Sequence, residues 1–560
     1  MLLQRLKEYY DRLNKLEPVP PMYQKKTVPW LVELDLEGNL LGFVSTGESG
    51  KKYKGKELIV PHPGARTSNV KPGLLADKAE YVLGIYKDQV TADRHQSFVD
   101  LVGDCLEATG EKTVMAVYKF LVSWSKGYIP IPVPEEIKSN TIVAFSVNGQ
   151  MPADLPSVQN FWSKKNTIVS GVAQDSGSQC IICGSHCTPV SPHPISIKPI
   201  PSGQSSGLAM ISANKAAFAS YGLENSFIAP TCHDCAEAYA KGANALLRKD
   251  KNTSLVAGPL VYIFWTQEDL DLPLLSLISQ DKPDPGQVKN LLTTTAAGRH
   301  DEPKDDHPFY AAALSASNAR VVVRDWLETR VGAVRKNLSH WFQMQRLVAD
   351  NGGEGEPIGV YALAASLYRS GDAAKQMTPN VPKVIMEAAL KGGPLPYWLL
   401  YQAVKRNKAE QKVTRTRLAL IKMVILSKYN EQKGDYLVEL NSNNVNPAYL
   451  CGRLLAELEN IQRAAIKPNI TFVERFYATA SSAPASAFGS LLRLAQAHLA
   501  KLRKQKPGIY MILQQRLEEI QSKIAVFPRV LKLEEQGLFA LGYYHQRAYA
   551  RNQNRNLMIS

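Results

Sequence analysis

"QCIICGSHC", residues 179–187, and "APTCHDCAEAY", residues 229–239, hold five of the chain's seven cysteines. Each stretch carries one Cys-x-x-Cys pair, Cys180/Cys183 and Cys232/Cys235. A two-residue gap in a tight turn aims both thiolates at one ion, and two such pairs complete the closed tetrahedral shell of a structural metal, with zinc the first choice among soft cations. The 48 residues between the pairs exceed the usual zinc-ribbon spacing, so this reading needs an insert, residues 170–250, that brings its two ends together. Cys187, His186 and His233 are spare ligands. The alternative is a set of reduced, half-buried thiols. A catalytic metal is disfavoured. "PTCHDC" echoes half of the zinc deaminase signature, but no His-x-Glu precedes it, and a four-cysteine shell leaves no position for water.

A chain of 560 residues is too long for one core, and two to four domains are expected. Hydrophobic content of 45% and charged content of 21% are those of a folded, soluble protein. No apolar run reaches 18 residues, so no membrane span is expected. "MLLQRLKEYYDRLNKL" reads as an amphipathic helix rather than a signal peptide, which points to a cytoplasmic protein with reduced thiols.

The fold class expected is α+β. A mixed α/β N-terminal region, residues 1–350, contains the zinc-ribbon-like insert, and an all-α C-terminal helical bundle follows. "VPWLVELDLEGNLLGFVSTG" predicts two strands around a Glu-Gly-Asn turn, and further strands are expected at "NTIVAFSV", "LVYIFW" and "ARVVVRDW". Helices are expected over 97–108 and 113–125, and "GRHDEPKDDHP" reads as an acidic surface loop. "NGGEGEPIG", residues 351–359, reads as a linker. Beyond it apolar residues recur at three and four, giving a basic helical region over 351–435 and a self-contained bundle over 436–560.

Charge narrows the function. The net charge of +15 favours polyanions, and nucleic acid is the commonest in a cytosol. Residues 405–428 carry eight basic side chains against the single acid Glu410, and "KLRKQK" (501–506) and "HQRAYARNQNRN" (545–556) are basic again. Such helices suit phosphate contacts, although a solvated helix face has the same composition. Catalytic motifs are thin. No phosphate-binding G-x-x-x-x-G-K-[ST] loop occurs, and Glu136-Ile137-Lys138 is a three-residue echo of nuclease sites with little weight. His62 and His193, each before proline, read as turn-packing residues.

Several uncommon strings recur in the order seen in one family. They are "MLLQRLKEYYDRL", "LIVPHPGARTSNVKPGLLADKAEYVLGI", "HPISIK" at 193–198, "GQSSG" at 203–207, "AFASYG" at 217–222, the segment from Tyr239 to Leu247, and "HPFYAAALSASNARVVVRDW". The chain resembles the large subunit of the type I-C CRISPR surveillance complex (Cascade) through its first 350 residues and, more weakly, into "NPAYLCGRLLAELENIQ". Relatives carry a single cysteine-led turn, so the second Cys-x-x-Cys is a departure and the metal reading rests on this sequence alone.

The resemblance implies a non-enzymatic subunit beside the 5′ end of a guide RNA. It would inspect the protospacer-adjacent motif (PAM) in target duplex DNA, help nucleate strand opening into an R-loop, and present the displaced strand to a separate helicase-nuclease. The partners implied are the guide ribonucleoprotein and the backbone, guide-capping and small subunits, with no membrane. The small subunit would come from an internal start from Met423 onward. A nuclease or deaminase acting in the same complex is the competing reading. For motif readout the candidates are Arg66, Asn69 and Lys71 in "GARTSNVKPG", and Gln204, Ser205 and Ser206 in "GQSSG", because amides and cations on flexible loops can reach base edges. Lys51, Lys52, Lys54 and Lys56, with Lys405, Arg406, Lys408, Lys412, Arg415 and Arg417, are the candidate phosphate contacts.

Overall fold

Alternation along Trp30–Leu34 puts Trp30, Val32 and Leu34 inside, and this strand pairs antiparallel with Leu40–Ser45 as the hairpin signal predicts. Its other edge pairs parallel with Ile142–Val147, which is buried almost throughout and pairs antiparallel with the short strand Ala76–Lys78. The helices Ala92–Thr109 and Lys112–Ser125 cover this sheet. Phe98 stacks on Phe145 at 6.3 Å between centroids, and Phe120 meets the same ring edge-on at 5.9 Å. A separate ribbon pairs Tyr23–Val28 antiparallel with Lys56–Pro61.

This is the computed structural model of the chain, and it describes residues 1–47, 55–64, 66, 70–86, 92–168, 177–213, 215–270, 273–297, 302–428 and 437–559. The chain forms two units, Met1–Ala245 with Ser317–Val322, and Leu246–Ala316 with Val323–Ser560. The fold class is α+β, with a mixed N-terminal region and C-terminal helices. Among the described residues no helix is long and apolar enough to cross a membrane.

A four-stranded sheet, in the second unit apart from its residues within Ser317–Val322, runs in the order Arg320–Arg330, Pro308–Ser317, Leu260–Thr266, Ser254–Ala257. Leu260–Thr266 is buried on both faces, which is why it reads as an unbroken apolar run. Pro308–Ser317, which the sequence analysis did not single out as a strand, pairs antiparallel with Leu260–Thr266, and its Ala311, Ala312 and Ala313 are buried. One core runs from Leu255 to Tyr544. The division therefore falls near residue 245 and not near 350, and "NGGEGEPIG" lies inside the second unit. Gly355 and Gly359 there are packed rather than free. A Cβ on Gly355 would lie 2.1 Å from the Leu347 carbonyl oxygen, and one on Gly359 would lie 2.3 Å from that of Asp281. The helices after 436 share this core with the earlier ones, since Gly537 sits against Ile421, Ile425 and Leu400.

The axis of the helical layer is Pro447–Ala465, buried all round. Asn446 caps it, its Oδ1 accepting from the Ala448 and Tyr449 amides, with proline at the first turn. It crosses the helix Leu533–Ile559 backbone to backbone through two glycines. A Cβ on Gly452 would lie 2.0 Å from the Phe539 carbonyl oxygen, and one on Gly542 would lie 2.0 Å from that of Tyr449. Gly452→Ala must spread the two helices, and it is expected to cost about 3 kcal/mol. Gly489→Ala, at an exposed helical glycine with nothing within 4 Å of its Cβ, is expected to gain up to about 1 kcal/mol. Calorimetric unfolding of the two variants checks the contrast, and equal effects would refute the close-approach account.

Candidate metal centre and nucleic-acid interface

Within the insert expected at 170–250, the two cysteine stretches come together. Ser178–Gln179 and His186–Cys187 form a short antiparallel ribbon, and the turn between them is tied by Cys180 N–H to the Ser185 carbonyl and Gly184 N–H to the Cys180 carbonyl, both 2.9 Å. Gly184 at φ +77 makes that turn. Cys232 and Cys235 stand at the start of the helix His233–Leu246. Two adjoining backbone bonds, Ile181 N–H to Pro230 and Val190 N–H to Thr231, hold the two stretches together.

The four sulfurs of Cys180, Cys183, Cys232 and Cys235 all lie within 4.8 Å of one another, and Cys183 Sγ is 3.9 Å from Cys232 Sγ. Metal–sulfur bonds of about 2.3 Å would put tetrahedral ligands about 3.8 Å apart, so the donor set fits a metal ion. The Cys232 amide donates to Cys180 Sγ at 3.4 Å, the kind of contact that orients a ligand sulfur. Hydrogen bonds from Ser185 draw the Cys183 thiol down to about 6, whereas burial pushes Cys232 up to about 11 and Cys235 higher still. Four thiolates in one cluster repel, and a cation is what lets them ionise together. Cys187, His186 and His233 stay outside the four. His233 instead faces Glu237, with Nδ1 at 3.8 Å from its carboxylate.

The helix His233–Leu246 connects this centre to a second one. Glu237 Oε1 accepts from the Met22 amide at 2.8 Å and from Lys241 Nζ at 2.6 Å, next to the strand Tyr23–Val28. Tyr239 bonds His193 Nδ1 at 2.5 Å. Burial pushes His193 down to about 4 and places it in the core, as its His-Pro setting predicts. Asn244 clamps the next strand by both amide atoms, taking the Lys198 amide at 2.9 Å and donating to the Ser196 carbonyl at 3.0 Å. Ile197 then pairs with Leu208, which closes the turn that carries Gln204, Ser205 and Ser206. All three are exposed. The pentapeptide Gly203–Gly207 also spells the G-x-S-x-G of a hydrolase elbow, but Ser205 sits in a turn between bridged segments, not between a strand and a helix. A Cβ on Gly207 would lie 2.5 Å from Ser196 Cβ and 3.5 Å from Lys198 Cδ, so turn and lysine are neighbours.

Around Lys198 the fold gathers Arg66 with three cations that sequence reasoning missed, Lys26, Lys78 and Lys198 itself. Lys26 of the ribbon, Arg66, Lys78 and Lys198 lie within Coulombic reach of one another. Burial pushes the Lys26 ammonium down to about 8, with Arg66, Lys198 and Lys78 adding to the shift against the pull of Asp77. Lys198 is lowered by desolvation and then by Arg66 and Lys78. His62 is pushed down to about 3 by burial and then by Lys198, Lys241, Lys26 and Arg66. Its neutral ring accepts the Gly64 amide at Nδ1, 2.9 Å away. Like charges crowded where water is partly excluded are relieved by an anion, and phosphate oxygens supply the missing solvation.

Arg66 differs from its expected role. Its Nε donates to the Lys71 carbonyl at 2.8 Å, its Nη2 pairs with Asp77, and it lies over the Tyr81 ring at 4.5 Å from the centroid. Asp77, buried, also accepts the Gly73 amide at 2.6 Å and the Lys78 amide at 2.8 Å. Arg66 and Asp77 therefore shape the loop that offers Lys71, and Arg66 adds charge without offering a free fork. Asn69 lies outside the described residues, as do Lys51, Lys52 and Lys54. Lys56 is exposed at the start of its strand.

The basic helices sort by burial. Lys405 and Lys412 are exposed. Arg406 is held by Glu410 at 2.7 Å, and Lys408 is half-buried and lowered by that burial. Arg415 donates to the Glu356 carbonyl at 2.6 Å. Arg417 corrects the sequence reading outright. It is buried, with bonds to the Ser366 carbonyl at 2.8 Å, Asn407 Oδ1 at 3.0 Å and Glu410 Oε2 at 2.8 Å, because the helix Arg415–Lys428 turns this position inward. Lys26 stands in "YQKKTV" and Lys198 in "HPISIK". Nothing in the one-dimensional pattern joins positions so far apart.

A comparison with curated proteins gives no match. The family model described as CRISPR-associated protein (Cas_Csd1) matches residues 6–550. With nearly the whole length covered, the chain belongs to the Cas_Csd1 family of CRISPR-associated proteins.

Proposed function

We propose that this chain is the non-enzymatic large subunit of a type I-C RNA-guided surveillance complex, acting in the cytoplasm to recognise the PAM in target duplex DNA and to help nucleate the R-loop. The observation that carries the reading is the convergence of Lys26, Lys78 and Lys198 with Arg66, which bonds the Lys71 carbonyl, and with the exposed turn of Gln204, Ser205 and Ser206. Cations set affinity through phosphate, and amides on adjoining loops set preference through base edges, each good pair being worth about 1–3 kcal/mol. Lys405 and Lys412 are the phosphate contacts that their exposure supports on the basic helices.

In this reading zinc occupies the four-cysteine cluster in a structural role. It fastens both ends of the 188–231 segment that carries Lys198 and the Gln204 turn. The guide ribonucleoprotein, the backbone, guide-capping and small subunits, and a recruited helicase-nuclease are the proposed partners. The helices after Met423 supply a separately translated small subunit.

The test is target-duplex binding by the guide-loaded complex with permuted motif bases, comparing wild type with Asn69→Ala, Lys71→Ala and Gln204→Ala. At least one substitution is expected to flatten motif preference about 5- to 100-fold while guide assembly stays normal. If all three leave the preference intact, the motif is read elsewhere and the site assignment falls.

A further inference from the structure

The segment fastened by the cysteines carries a second feature, which charge does not explain. Residues 215–225 belong to an excursion closed at its base by paired backbone bonds, Ala213 N–H to Asn225 at 2.9 Å and Asn225 N–H to Ala213 at 3.0 Å. Buried Ser226 pins the base further, its hydroxyl donating to the Ile211 carbonyl at 3.2 Å and its amide to Ser191 Oγ at 3.3 Å. Short 3-10 turns at Ala216–Phe218 and Asn225–Ile228 order the excursion and its exit. Yet its large side chains point outward. Phe218 and Leu223 are exposed, as are Phe227 and Ile228 just beyond its base, and Tyr221 is fully exposed. Tyr221 also has φ +54, a left-handed conformation that is costly for a bulky residue. A fixed apolar patch displayed at a cost in backbone strain marks a contact surface.

Its surroundings indicate the occupant. Ala209, one residue beyond the Ile197–Leu208 bridge, pairs with Arg320, and the Arg320 guanidinium lies 4.2 Å from the centroid of the Phe218 ring. A short series of neighbours thus runs from Lys198 through Leu208, Ala209 and Arg320 to Phe218. At about 5 Å per strand spacing this is roughly 15 Å, a few nucleotides of single strand. Aromatic faces flanked by cations, next to a phosphate-attracting cluster, are the elements of a single-strand stacking site.

We propose that Tyr221, backed by Phe218 and Arg320, is a stacking platform for an unpaired base of the nucleic acid whose phosphates lie at the Lys26–Lys198 cluster. The proposal rests on the nucleic-acid reading above and adds the class of ligand, an unpaired base, and the residue that receives it.

The experiment uses the full chain and two fluorescent DNA probes. One is a fully paired duplex, and the other is the same duplex with a short unpaired stretch holding one 2-aminopurine. Wild type is expected to bind both in a salt-dependent manner and to quench the 2-aminopurine. Tyr221→Ala is expected to lose the quench and to bind the unpaired probe about 5- to 100-fold more weakly, with the paired duplex unchanged. Tyr221→Phe keeps the ring and is expected to behave as wild type. If Tyr221→Ala binds both probes as wild type does, or weakens both equally, the platform is refuted while salt-dependent duplex binding still supports the broader reading. If Tyr221→Ala leaves both probes untouched but blocks assembly with other subunits, the patch is a protein-docking surface and the proposal falls. Absence of DNA binding by wild type overturns the broader reading and this proposal together.

Discussion

Replacing Cys232 and Cys235 with serine is expected to abolish binding of one metal per chain and to weaken duplex DNA binding by about tenfold or more. The two effects belong together because of the helix His233–Leu246. Its first turn supplies two of the four sulfurs, and further along Asn244 holds the backbone of Ser196 and Lys198 in place. Loss of the metal frees the start of that helix and both ends of the 188–231 segment, so Lys198 and the Gln204 turn lose a common anchor. Apolar packing at Tyr239 and Gly242 remains, so the cost to the first unit is expected to be about 3–5 kcal/mol, below the 10–16 kcal/mol of isolated zinc fingers. Elemental analysis, the d–d spectrum of the cobalt-substituted protein and calorimetry check the metal and the fold, and salt titration of DNA binding checks the site. Cys187→Ser, at a cysteine outside the four, is expected to keep the metal and the affinity. A protein that loses no stability and no DNA affinity on the double substitution would sink the anchoring role. The Asn244→Ala variant tests the connection itself, being expected to keep the metal and still lose part of the affinity.

Charge reversal at Lys26 or Lys198 is expected to lower duplex affinity about 100-fold at physiological salt and to reduce the salt slope by about 1 for each phosphate no longer neutralised. Lys26 adds a pH signature. In the free protein its ammonium is held down to about 8, and a bound phosphate would raise it. Below about pH 8 the lysine is charged in both states and affinity is flat. As pH rises above about 8 the free protein loses the proton that the complex keeps, so affinity should fall by up to about tenfold per pH unit. Lys26→Arg is expected to remove that dependence while keeping the affinity. The same shift has a stability consequence of the opposite sense. A folded pKa below the unfolded value costs stability at every pH below about 8, and that cost fades as pH rises toward the ordinary lysine range. Lys26→Met is therefore expected to gain about 1–2 kcal/mol at pH 7, after allowance for solvent screening, while weakening DNA binding. Binding that shows no change between pH 7 and 9.5 in wild type would remove Lys26 from the site.

Much of this was legible in the sequence, for local reasons. Period-2 alternation in "WLVEL" and the turn after it fix a hairpin whatever surrounds them, and Cys-x-x-Cys spacing commits each pair to one turn. The family strings likewise carried through to a match over residues 6–550. What failed were inferences about where a side chain faces in a crowded core. Arg417 reads as one more cation in a basic run, but the Arg415–Lys428 helix is buried on nearly every side and turns it toward Glu410 and Asn407. Glycines at 352–359 read as a linker because their composition cannot distinguish a free chain from one pressed against a carbonyl. The sequence by itself determined the fold class, the family and the two halves of the four-cysteine cluster, because each depends on residues within a turn or two of one another. Only the tertiary structure decided that Lys26, Lys78 and Lys198 share one field, that Arg66 is spent on Asp77, and that Tyr221 stands free. Charge acts through space, and the pairings that bring positions 26, 78 and 198 together belong to the packed chain and to no local pattern.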